Sequence, residues 1–314
     1  AEYNKNNEVY VEWSTNEKAA VEVAAGAAYS GKRALVTMKQ VGLNASADPV
    51  MNLAYIGTKG GLVILVADDP GPISSQTEQD TRVFGNYSNI PVLDPSSPRE
   101  AYEMMVEAFE ISEKYECPVI IRPTTRVCHG SESIETNKIL EKKNLYGFEK
   151  DSRWVIFPKL SYEVHKSFKE RNKEIGRYFS KSSFNEKIIR GKKGIISQGI
   201  SYQYTKEVLS SVESDYSFLK IGTAFPFPED LVVDFLKEVD ELLVIEELSP
   251  YIEEEILKLI GQNKLNVDVF GKLTCHISFA GENSPESLKA SICNYLDIEY
   301  KNEIEDIEVD VPTR

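Results

Sequence analysis

The run Leu62-Val63-Ile64-Leu65-Val66-Ala67 constrains this chain more than any other segment. It has no polar residue to turn towards water, and Asp68-Asp69-Pro70-Gly71 stops it before it reaches helix length. A short apolar run of this kind predicts a central parallel strand with both faces covered. The surrounding pattern agrees, because short β-rich runs alternate with helical ones from Val9 to about Arg126. Strands are expected at Val9–Trp13, Lys32–Met38, Ile90–Leu93 and Pro118–Arg122, with helices at Glu17–Tyr29 and Pro98–Tyr115. Alternation of this sort predicts the α/β class, a parallel sheet covered by helices, over residues 1–150.

A second, smaller α/β unit is expected over residues 194–300. Its strands fall at Gly194–Ser197, Phe218–Ile221, Glu241–Glu246 and Val267–Phe270. Its helices fall at Ser201–Ser211, after Pro228, at Pro250–Ile260 and at Ser284–Leu296. Between the units, residues 151–193 read as a basic connector, with ten Lys and Arg against three Glu from Lys166 to Lys193. Such a run is either a solvated helix followed by a linker or a docking surface for an acidic partner. Residues 301–314 carry five acidic side chains and read as a linker tail. Two domains fit the 314 residues. The start at Ala1, without methionine, suggests part of a longer chain.

The charge balance, 36 Lys and Arg against 50 Asp and Glu, has the wrong sign for binding nucleic-acid phosphates or anionic lipid. Cys117, Cys128, Cys275 and Cys293 form no C-x-x-C pair, so no zinc ribbon or ferredoxin-type cluster is encoded. They are expected as reduced thiols of a cytoplasmic protein, since no apolar run reaches the roughly 18 residues of a membrane span. His129, His165 and His276 lack partners at ligand spacing. The G-x-S-x-G elbow, the Walker loop and the G-x-G-x-x-G fingerprint are missing, which argues against serine hydrolases, P-loop enzymes and typical dinucleotide binders.

Three places could carry chemistry. Ser14-Thr15-Asn16-Glu17 matches S-x-x-E, so Glu17 is either half of a capping box or a carboxylate at the mouth of a helix rich in small residues. In the second case a flat ligand could lie close to the backbone, and a desolvated Glu17 could hydrogen-bond a ring nitrogen. Val41-Gly42-Leu43-Asn44 follows a strand at its carboxyl end, where open α/β sheets place ligands; a plain turn is the other reading. Asp68 to Asp80, a loop rich in hydroxyls and amides, follows the central strand and is either a site or turn chemistry with a helix cap.

Taken together, Tyr10 to Glu17, Ala24-Ala25-Gly26-Ala27 and Ala34 to Asn44 resemble the large (α) subunits of indolepyruvate:ferredoxin oxidoreductases. The likeness continues in order through Gly60–Val63, Ala67–Gly71, Ser74-Ser75-Gln76, Glu78-Gln79-Asp80, Arg122–Arg126, Ile196–Tyr202 and Ile245–Leu248. It implies a thiamin-diphosphate pyrimidine-binding domain followed by a transketolase-C-like domain. It also implies that Glu17 contacts N1′ of the aminopyrimidine, favouring the tautomer that deprotonates the thiazolium.

On this resemblance Gly42 and Asn44 wall the cofactor pocket, and Asp69, Ser74, Ser75 and Gln76 lie on the substrate side. The implied reaction is oxidative decarboxylation of an aryl 2-oxoacid such as indolepyruvate, with coenzyme A taking the acyl group and ferredoxin the electrons. The implied partners are a small (β) subunit and a second copy of this chain. The Mg²⁺ and diphosphate site and the iron–sulfur clusters of such enzymes have no counterpart motifs here, so this stretch alone is expected to be inactive. Two rivals share the scaffold: a pyruvate-type 2-oxoacid:acceptor oxidoreductase and a non-catalytic module that mediates subunit contacts.

Overall fold

The computed structural model describes residues 9–136 and 147–299, so the acidic tail expected at 301–314 lies outside the described residues. The first half runs α1 (Glu17–Tyr29), β1 (Ala34–Lys39), α2 (Gln40–Ala45), α3 (Ala47–Ile56), β2 (Leu62–Ala67), α4 (Thr81–Ser88), β3 (Val92–Leu93), α5 (Pro98–Tyr115), β4 (Val119–Ile121) and α6 (Thr125–His129). After the long α7 (Pro158–Phe179) come β5 (Glu186–Ile188), β6 (Lys193–Gln198), α8 (Ile200–Ser210), β7 (Ser217–Ile221) and β8 (Thr223–Phe225). The chain then forms α9 (Glu229–Leu236), β9 (Glu241–Ile245), α10 (Tyr251–Asn263), β10 (Asp268–Phe270) and α11 (Pro285–Tyr295).

Two five-stranded sheets result, in the orders β1-β2-β4-β3-β8 and β10-β9-β6-β7-β5. Pairing is parallel except at β8 against β3 and β5 against β7. The central strand β2 is covered on both sides, as its composition requires. Leu62, Ile64 and Val66 join the cluster of Val21, Ala24, Ala25, Ala28 and Leu53 from α1 and α3. Val63 points the other way, to Met104, Ala108 and Ile111 of α5 and to Ile175 and Phe179 of α7. Alternate side chains of a strand face opposite sides, so a strand packed on both must be apolar throughout.

The two sheets share one piece of chain. β7 lies inside the second sheet, and after Gly222 the same chain enters the first sheet as β8, whose Phe225 pairs with Val92. Gly222 is needed at this crossing: a Cβ there would lie 2.7 Å from the Phe184 carbonyl oxygen and 3.0 Å from Met104 Cε. Its own carbonyl accepts from Asp94 N–H at 2.8 Å.

One sequence expectation is corrected here. The Val9–Trp13 strand does not form: the segment is irregular and exposed, with Trp13 at 97%. No strand among the described residues lies beside it, so its apolar side chains find no sheet face to bury. The basic stretch from Lys166 belongs largely to α7, which buries Phe168, Ile175, Gly176 and Phe179 and leaves its charges outside. Its amphipathic face ties it to both units, because Phe168 packs in the same cluster as Phe225 and Phe227.

Candidate functional site

Glu17 opens α1, but not as part of a capping box. The N-cap is Asn16, whose side-chain oxygen accepts from Ala19 N–H at 2.9 Å, and Ser14 Oγ instead donates to Glu12 at 3.2 Å. Asn16 is the stronger cap for its position, since its carboxamide reaches the N3 amide directly. Glu17 thus becomes the first helical residue, and no described residue hydrogen-bonds its carboxylate. It is half-buried at the positive end of the helix dipole.

The stem of Glu17 rests on Gly42 in α2. A Cβ on Gly42 would lie 2.6 Å from Glu17 Cγ and 2.8 Å from Oε1. Two residues singled out from the sequence 25 positions apart are therefore brought into contact, and the missing side chain is what admits the carboxylate. The stretch expected as a turn is a short helix. Gly42→Ala should leave stability within about 1 kcal/mol, because a flexible side chain can yield. It should nevertheless push Glu17 out of its seat at the helix mouth, and calorimetry beside a crystal structure of the variant checks the pair of effects. Asn44 is exposed on the same helix, and no hydrogen bond joins it to Glu17.

The loop after β2 is built around Asp69. Its buried carboxylate accepts from Ser74 N–H at 2.9 Å, Ile73 N–H at 3.3 Å and Thr125 Oγ1 at 2.7 Å, with Lys39 Nζ at 3.4 Å. Burial works against the charge, but the bonds from Thr125, Ser74 and Ile73 outweigh it and hold the carboxyl well below the usual carboxylate range. Asp69 thus shapes the loop from within. Ser74 and Gln76 face solvent, Ser75 is half-buried, and Lys39 Nζ also donates to Ser74 Oγ at 2.8 Å. Gln40 Nε2 closes the loop's far end on the Thr77 carbonyl at 3.0 Å. Lys39 and Gln40 were missed in the sequence; their only signal is that they directly follow a buried strand.

Behind this loop the carboxyl ends of strands from both sheets converge on two buried arginines. Arg122 donates to Asp68 at 2.6 Å and to Asp94 at 3.0 Å. Arg82 forks onto Asp80 at 2.9 and 2.6 Å and reaches Gln198 at 2.8 Å and Glu246 at 2.7 Å. It also donates to the carbonyls of Glu247 and Ser249. Gly199 brings its backbone against Asp94, since a Cβ would sit 3.0 Å from Oδ1.

Burial pushes the carboxyls of Asp94 and Glu246 up to about 6 and that of Glu247 up to about 7, although Arg122, Arg82 and the Asn283 N–H pull the other way. A carboxyl whose folded value lies above its unfolded one binds its proton more tightly in the folded state. Stability from these groups is therefore present at low pH and lost as pH rises from about 4.5 to 7. Glu247→Gln should flatten that limb, and urea midpoints measured across this window should show it.

Among the described residues no group of three His, Cys, Asp or Glu side chains could hold a metal ion, and no helix is long and apolar enough to cross a membrane. The fold is that of an α/β protein with two largely parallel sheets, and a carboxylate seated on a glycine lies at the mouth of its first helix. A family profile described as "Pyruvate flavodoxin/ferredoxin oxidoreductase, thiamine diP-bdg" matches residues 1–164, and the chain belongs to that family.

Its relatives include the indolepyruvate oxidoreductase subunits IorA of Pyrococcus abyssi and Methanothermobacter thermautotrophicus. The first is 43% identical over 273 residues, covering 84% of this chain and 42% of that protein. The second is 38% identical over 288 residues, covering 90% and 47%. The chain thus spans less than half the length of these relatives. Among solved structures, the 2-oxoglutarate:ferredoxin oxidoreductase of Magnetococcus marinus superposes with a TM-score of 0.67 at 14% identity, covering 90% of this chain and 56% of that one. A split-gene transketolase follows at 0.58 and 15%, covering 90% and 82%.

Proposed function

We propose that this chain supplies the aminopyrimidine-binding part of a thiamin-diphosphate-dependent 2-oxoacid:ferredoxin oxidoreductase acting on aryl pyruvates such as indolepyruvate. The observation that carries the reading is the Glu17 carboxylate, free of hydrogen bonds from the described residues and seated on Gly42. Bound there, the cofactor would supply the carbon nucleophile and electron sink that the protein's own side chains lack.

The chain's residues do the rest. Glu17 holds a proton at the aminopyrimidine N1′, and Gly42 lets the ring approach the backbone. The buried Ala24, Ala25 and Ala28 let α1 pack close to its sheet and so fix the depth of the helix mouth. The Asp69 loop, pinned through Lys39 and Gln40, presents Ser74, Ser75 and Gln76 to the 2-oxoacid. With the aryl-pyruvate reading go coenzyme A, ferredoxin and a small subunit as partners, a dimer of this chain, a cytoplasmic location, and Mg²⁺ and iron–sulfur clusters held by other parts of the complete enzyme. In this reading the 151–193 stretch connects domains 1–150 and 194–300.

Assaying the complete enzyme for ferredoxin reduction with indolepyruvate and with pyruvate tests the proposal. Indolepyruvate should give the higher kcat/KM, and a preference for pyruvate would overturn the substrate assignment. The 314-residue chain by itself should bind thiamin diphosphate and Mg²⁺ only weakly in calorimetric titration. Micromolar or tighter binding would show that the grip lies within it.

A further inference from the structure

One carboxylate oxygen holds two loops from different halves of the molecule. Glu78 Oε1 accepts from Gly71 N–H in the Asp69 loop and from Gly281 N–H, each at 3.0 Å. The two backbones touch there: a Cβ on Gly71 would meet Glu282 N at 3.1 Å and Gly281 Cα at 3.3 Å. The strap containing Gly281, residues 278–283, is fixed from all sides. Buried Lys272 donates to the carbonyls of Ser278 at 2.5 Å and Phe279 at 3.3 Å. Arg126 forks onto Glu282, with Nε to Oε2 at 2.7 Å, and Asn283 N–H donates to Glu247 at 2.9 Å.

This strap holds Phe279 out at 67% exposure. Two residues beyond Gly71 the facing loop exposes Ile73 at 52%. An exposed apolar side chain thus stands two residues from each glycine of the buckle, and Ile73 directly precedes Ser74-Ser75-Gln76. Holding an aromatic ring in water costs hydrophobic free energy that an aryl ligand would recover.

Resting on the aryl-pyruvate reading above, we infer that Glu78 is a positioning residue buckling the strap to the substrate loop, so that Phe279 and Ile73 form an apolar lip that favours aryl over alkyl 2-oxoacids. The second half of the chain then takes part in substrate choice without touching the cofactor.

The test uses the complete enzyme and three variants, with kcat and KM for indolepyruvate and pyruvate, and chymotrypsin cleavage after Phe279 as a readout independent of activity. Phe279→Ala should lower the indolepyruvate-to-pyruvate ratio of kcat/KM about tenfold, the scale of one lost apolar contact. Glu78→Ala should lower the same ratio through KM and speed cleavage at least about tenfold, as expected where opening of the strap limits cleavage. Glu78→Gln should restore both, because an amide oxygen can accept the same two N–H groups. An unchanged ratio in Phe279→Ala, or a strap no more cleavable in Glu78→Ala than in the wild type, would overturn the inference. If the wild type turned over neither 2-oxoacid, the proposed function would fall, while the cleavage rates would still decide the buckle.

Discussion

Glu17→Gln in the complete enzyme is expected to lower kcat by about 10²- to 10⁴-fold, the range for losing one positioned acid–base group. The fold should survive, because the carboxylate accepts no hydrogen bond from the described residues and the helix is capped by Asn16 instead. A glutamine has nearly the same shape and can still donate to a ring nitrogen, but it cannot exchange a proton there. Cofactor affinity should therefore change far less than turnover, and fluorescence titration beside single-turnover kinetics separates the two. Full activity in this variant would make the family's oxidoreductase chemistry independent of Glu17 and leave this chain a contact module.

Arg82→Met is expected to be the most damaging change to stability, at about 3–5 kcal/mol, the usual cost of stripping one partner from a buried ion pair. Arg82 is 1% exposed and bonds two carboxylates, one amide and two carbonyls drawn from both halves of the chain. Removing it leaves Asp80 and Glu246 buried without their cation. Lysine should not rescue, since a point charge cannot make the same fork. Urea unfolding should show a large fall in midpoint, and a loss below about 1 kcal/mol would mean that water had replaced the guanidinium. Against a typical total of about 5–15 kcal/mol, the expected loss would bring the variant near unfolding at physiological temperature.

The elements legible in the sequence are those set by local pattern. Leu62–Ala67 reads as a doubly covered strand and forms one, and α1 spans Glu17–Tyr29 as its alanine-rich pattern predicts. Pairing across long separations was not legible: Thr223-Ala224-Phe225 has nothing in its composition to show that it would leave one sheet and complete another. At the site, the contact of Glu17 with Gly42 was foreshadowed by two separate signals, a carboxylate at a helix mouth and a glycine after a strand. Arg82 and Arg122 were not, because a charged residue reads as a surface residue until its partners, which lie far along the chain, are brought beside it. The S-x-x-E match misled because Asn16, inside the motif, is itself a competent cap and takes the N3 amide first.

The crossing at Gly222 sets an order of events during synthesis. β1 to β4 leave the ribosome early, but β3 keeps an unpaired edge until Thr223–Phe225 arrives. Until then the first sheet offers an open strand to any other nascent chain, a known route to mispairing. A polypeptide stopped at residue 193 would keep that edge permanently. The first sheet is thus complete only once Phe225 is in place.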